Sequence, residues 1–66
     1  MKNKYLKIRL IEKGKKHKDI AKAVGVTPQA ITDYIRGAYN PSYEVMAKIA
    51  KELDASVDEL FFNETE

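Results

Sequence analysis

Apolar residues recur along most of the chain at spacings of three and four, and no run alternates with the period of two that a half-buried strand needs. Leu6 and Leu10 stand one turn apart and predict a first helix over residues 5–13, ended by Gly14. Tyr5, Ile8 and Ile11 spread further apolar surface around that helix, so the pattern singles out no buried face beyond the two leucines. Ile20, Ala21 and Val24 predict a second helix over about 17–24, stopped at Gly25, which accepts the left-handed conformation of a helix C-terminus. A third helix is expected over 28–36. Thr27 is a good N-cap, Pro28 suits the first helical position, where its missing N–H costs nothing, and Gly37 ends the helix. After a turn at Asn40-Pro41-Ser42, the residues Met46, Ile49, Ala50 and Leu53 repeat with helical period in a fourth helix capped by Ser42. "SVDE", residues 56–59, is a capping box that opens a short fifth helix carrying Val57, Leu60 and Phe61. The fold class is therefore all-α: a compact five-helix bundle, one domain over 1–62, with a short acidic tail over 63–66.

The break Gly25-Val26-Thr27 is only three residues long, and two helices joined so tightly must cross steeply. The small side chain of Ala21 lets them approach, and Val26 and Ile31 brace the corner from inside. The third helix then stands proud of the domain with Pro28, Gln29, Thr32, Asp33 and Arg36 on its outer face. Gln29 both donates and accepts, which suits the paired groups of an adenine edge in the major groove, and Thr32 offers a methyl to thymine. Arg36 and the N-terminus of the second helix suit phosphate, because orphan backbone N–H groups there attract anions.

Charge sharpens this picture. Residues 1–36 hold ten Lys and Arg against three Asp and Glu, a balance of +7, whereas the remaining thirty hold two against seven, a balance of −5. A polyanion-binding front half has this distribution, and so does a small domain kept soluble by lysines. With no Cys and one His there is no disulfide framework, thiolate site or zinc site, and no cofactor is expected. No segment approaches the roughly 18 to 20 consecutive apolar residues of a membrane span, and the first residues lack a signal peptide's apolar run. The chain reads as soluble and intracellular. His17, Asp19, Asp33 and the tyrosines lie at outward helical positions that suggest no convergent pocket, so an enzyme is not expected.

"IAKAVGVT", "QAITDYIRG", "NPS", "MAKIAKELDAS" and "VDELF", in that order and spacing, make residues 6–61 resemble the phage-repressor helix-turn-helix family, the Cro and lambda-repressor-like or Xre group. The resemblance implies a five-helix DNA-binding domain, often dimeric, whose third helix reads base edges. On that pattern Pro28, Gln29, Thr32 and Asp33 fall at reading positions. Lys16, His17, Lys18, Thr27, Arg36, Tyr39, Asn40 and Tyr43 fall at or near phosphate-facing ones. Family members commonly open the second helix with Ser or Thr followed by Gln, where this chain has Lys16 and His17; that substitution loses a good N-cap, at about 1 kcal/mol, and adds charge beside Lys15 and Lys18. Many members also pair an Arg of the first helix with a Glu of the third; Leu10 and Ile35 stand there instead, so an apolar contact is expected.

Several of these positions have a plainer alternative. Gln29 has the plainer reading of an exposed helix residue, Asp33 either accepts from a cytosine amino group or is a local partner of Arg36 three residues on, and His17 has the plainer reading of a solvated helix start. Ile31 and Tyr34 read as core. Tyr39 and Tyr43 suit either a phosphate hydrogen bond or simple packing. Phe62, following "ELF", suits a dimer contact or packing against the first helix. The expected function is sequence-specific binding of double-stranded DNA by a cytoplasmic, nucleoid-associated regulator of bacterial or phage origin, as a homodimeric repressor on an inverted-repeat operator. The alternatives are an antitoxin-type autorepressor, for which the tail is short, and a protein-interaction module that uses the same helix face.

Overall fold

A computed structural model describes residues 3–62, and every regular element in that range is a helix. They are α1 (Lys4–Glu12), α2 (His17–Val24), α3 (Pro28–Arg36), α4 (Tyr43–Glu52) and α5 (Val57–Phe61). The acidic tail at 63–66 lies outside the described residues.

The capping chemistry operates as the residue types require. Thr27 Oγ1 accepts from the Ala30 N–H at 3.1 Å and Ser42 Oγ from the Val45 N–H at 3.3 Å. Ser56 and Glu59 close a reciprocal capping box, with bonds of 3.1 and 2.8 Å. At α2 only half a box forms. The Lys16 N–H donates to Asp19 Oδ2 at 2.9 Å, but a lysine side chain has no acceptor to return. Gly25 and Gly37 turn left-handed, at φ 84° and 83°, and send their N–H groups back to the carbonyls of Ala21 and Asp33. The first helix sits one residue earlier than the leucine spacing predicts: Lys13 is its C-cap and Gly14 follows at φ 66°.

One core joins all five helices. Leu6, Leu10, Ile20, Ala21, Val24, Ile31, Ile35, Ile49, Ala50, Leu53 and Leu60 are buried in it, with Val26, Tyr34, Val57 and Phe61 packed at its edge. Leu10 and Ile35 share this cluster, so apolar side chains occupy the places where the family resemblance has an ion pair. Ile8 and Ile11 remain exposed, which settles that α1 buries its leucine face alone.

Two polar side chains of the first ten residues hold helix ends that are distant in sequence. Asn3, 6% exposed, donates from Nδ2 to the Tyr34 carbonyl at 2.7 Å and from its backbone N–H to the Ile35 carbonyl at 3.1 Å. It thereby gives the Ile35 carbonyl a partner at the end of α3 and adds a second donor to the Tyr34 carbonyl, which also accepts from the Gly37 N–H at 3.2 Å. Arg9 does the same for α4, donating from Nε to the Leu53 carbonyl at 2.9 Å and from Nη2 to the Asp54 carbonyl at 2.6 Å. Asp54 takes φ 58°, which Asp tolerates better than most residues, and its carboxylate lies 3.5 Å from Lys13 Nζ.

Candidate nucleic-acid interface

The crossing of α2 and α3 follows from Ala21, 1% exposed, and Ile31, fully buried, which bring the helices into close packing beneath the turn. Ile31 and Ile35 point α3 inward, so Pro28, Gln29, Thr32, Asp33 and Arg36 lie along its other side. That side is less open than helical spacing alone suggests. Pro28, Gln29 and Arg36 are exposed, whereas Thr32 and Asp33 are half-buried.

The cause is a set of hydrogen bonds among the candidate residues themselves. Thr32 Oγ1 donates to the Pro28 carbonyl at 3.3 Å and lies 2.9 Å from His17 Nδ1. Thr32 has one hydroxyl hydrogen: it either donates to the Pro28 carbonyl and accepts from an Nδ1–H, or donates to an unprotonated Nδ1, according to the His17 tautomer. The imidazole is thus half-buried between α2 and α3 with Nδ1 committed to Thr32. With Nδ1 facing Thr32, Nε2 is the ring nitrogen left for a further contact, and the Thr32 methyl stays available to a base. Asp33, with its side chain 16% exposed, accepts from Gln29 Nε2 at 3.1 Å and lies 3.8 Å from Arg36 Nη1. The pairing of Asp33 with Arg36 considered from sequence is therefore present, with Gln29 as a second partner.

Cations flank this row. Lys15, Lys16 and Lys18 are exposed at the start of α2, and Arg36 is exposed at the end of α3. Arg9 and Lys13 are engaged elsewhere, Arg9 with Glu12 and the Leu53 and Asp54 carbonyls just past α4 and Lys13 with Asp54, so the basic front half is not one uniform patch. Thr27 spends its oxygen on the cap of α3 and retains its hydroxyl hydrogen as a donor. Tyr39 and Tyr43 are 67% and 70% exposed beside exposed Asn40, so their phenols are not packed away, and Phe62 is 55% exposed. Tyr34 is half-buried against the core, as expected. Asn3 and Arg9 are the supporting residues that sequence reasoning missed.

Among the described residues no helix is long and apolar enough to cross a membrane, and no group of His, Cys, Asp and Glu is arranged to hold a metal ion. The profile of the helix-turn-helix family matches residues 6–60. An uncharacterized HTH-type transcriptional regulator of Archaeoglobus fulgidus is similar, at 36% identity over 53 residues that cover 80% of this chain and 76% of the relative. No solved structure matches the chain. With α2, the three-residue turn and α3 all inside the matched range, the chain belongs to the helix-turn-helix family of DNA-binding transcription regulators and is not an enzyme.

Proposed function

We propose that the protein is a homodimeric repressor that reads an inverted-repeat operator through α3 in the major groove and acts in the cytoplasm on the nucleoid. The observation that carries the reading is the row Pro28, Gln29, Thr32, Asp33 along the outer side of α3, with exposed Lys15, Lys16 and Lys18 at one flank and Arg36 at the other. In this reading Gln29 takes an adenine edge, the Thr32 methyl meets thymine, and Pro28 and Asp33 stand beside them on the same face. Lys16, His17 through Nε2, Lys18, the Thr27 hydroxyl, Arg36, Tyr39, Asn40 and Tyr43 bind phosphates and fix the register. Dimerisation through the α5 end is supported by exposed Phe62, next to an open groove of mixed character lined by Tyr5, Ile8, Ala55 and Leu60 together with the charged Arg9, Glu12 and Glu59.

The test is selection of sites from random duplex DNA by the purified protein, followed by affinity measurements across salt concentrations. An enriched inverted repeat with half-site centres about one helical turn apart supports the reading, together with a steep loss of affinity as salt rises. No enrichment, or binding indifferent to salt, refutes it and leaves the α3 face to a protein partner.

A further inference from the structure

Resting on the proposal that Gln29 reads a base, we infer that Asp33 is a positioning residue that fixes the direction in which Gln29 presents its amide, and so makes the readout asymmetric. Asp33 is the only carboxylate on the outer row of α3. A carboxylate facing DNA is repelled by phosphates, so its presence there needs an account. Its Oδ1 accepts from Gln29 Nε2 at 3.1 Å, one turn back, and lies 3.8 Å from Arg36 Nη1, one turn on. The side chain is 16% exposed, against 67% for Arg36, so Asp33 lies down along the helix between its two neighbours. Arg36 offsets its charge.

An ionised carboxylate only accepts hydrogen bonds. The Gln29 amide therefore turns its NH₂ toward Asp33, since the opposite orientation would set the amide oxygen against a carboxylate oxygen. One N–H is then occupied, and Gln29 presents its oxygen and its remaining N–H in a fixed order. Adenine offers a matching acceptor and donor, N7 and N6–H₂, in one order along the groove. A freely rotating amide can reverse that order, and its two N–H groups can also serve the two acceptors of guanine. Held by Asp33, Gln29 can do neither. The carboxylate separates A·T from T·A and G·C without touching a base.

The experiment measures affinity for the selected site, and for versions changed one base pair at a time, with wild type, Gln29→Ala, Asp33→Ala, Asp33→Asn and the double Gln29→Ala/Asp33→Ala variant. Asp33→Ala is expected to relax discrimination about tenfold at the same base pair that Gln29→Ala relaxes, with the double variant no less selective there than Gln29→Ala. Asp33→Asn keeps an oxygen within reach of Gln29 and is expected to restore part of the discrimination that Asp33→Ala loses. If Gln29→Ala relaxes one base pair while Asp33→Ala relaxes a different one, Asp33 reads a base directly and the inference is overturned. It is equally overturned if Asp33→Ala changes binding to all sequences alike. If Gln29→Ala leaves every preference intact, the base-reading role itself fails, and the inference with it.

Discussion

Replacing Asn3 by Ala removes a side chain that is 6% exposed and one 2.7 Å hydrogen bond to the Tyr34 carbonyl at the end of α3. A typical hydrogen bond contributes about 1 kcal/mol net, and a buried acceptor left unpaired costs more. That carbonyl keeps the Gly37 N–H at 3.2 Å, and the Asn3 backbone N–H still reaches the Ile35 carbonyl, so the loss stays at the lower end of the range. We expect Asn3→Ala to destabilise the domain by about 1 to 2 kcal/mol. For a chain of this size that lowers Tm by about 5 to 15 °C. Asn3→Asp is nearly isosteric yet exchanges the donor for a carboxylate facing the Tyr34 carbonyl at the negative end of a helix. It should be the less stable variant at pH 7. Burial raises the pKa of such a carboxyl above its unfolded value, so the folded state binds its proton more readily, and the deficit relative to Asn3→Ala shrinks as pH falls through the carboxylate range. Urea unfolding followed by circular dichroism gives both numbers, with an unchanged m-value as the sign that only stability moved. Asn3→Ala within about 0.3 kcal/mol of wild type, or Asn3→Asp the more stable variant at pH 7, would refute the anchoring role.

Arg9→Ala should cost about 1 to 2 kcal/mol in the same assay, since it releases the Leu53 and Asp54 carbonyls, and Arg9→Lys should recover only part because one ammonium cannot reproduce the fork; full recovery by Lys would contradict the two-pronged geometry. Thr32→Val keeps a methyl and removes the hydroxyl that engages His17, so it should retain the preference for thymine while weakening all binding about twofold to tenfold. Thr32→Ser should do the reverse, and identical behaviour of the two variants would dissolve the division between methyl and hydroxyl. Phe62→Ala should shift sedimentation toward monomer; an unchanged association state moves the interface elsewhere.

The fold was legible because its signals are local. Thr27 before Pro28, the Ser56–Glu59 box and the glycines at 25 and 37 each act within four residues, and those boundaries match the structure. Asn3 and Arg9 were opaque for the opposite reason. Their partners lie 31 and 44 or 45 residues away, and a polar side chain that caps a distant helix leaves no periodicity to read. At the interface, spacing revealed which residues of α3 face outward but not how far they are occupied by one another. The Gln29–Asp33 contact is an ordinary i,i+4 pair and could have been found from sequence. The His17–Thr32 contact joins two helices and exists only once their crossing is set.

These contacts also bear on how such a protein could change its target over time. The core draws on Ile31 and Ile35 and on none of the outer row, so new specificities are open to the chain without repacking that core. They are not open one residue at a time. A new residue at 29 meets the oxygen of Asp33, and a new residue at 32 leaves the ring of His17 without its hydrogen-bond partner. Among diverging descendants, positions 29 with 33 and 17 with 32 should change as couples, and lineages caught between the two steps should bind DNA with blurred preference.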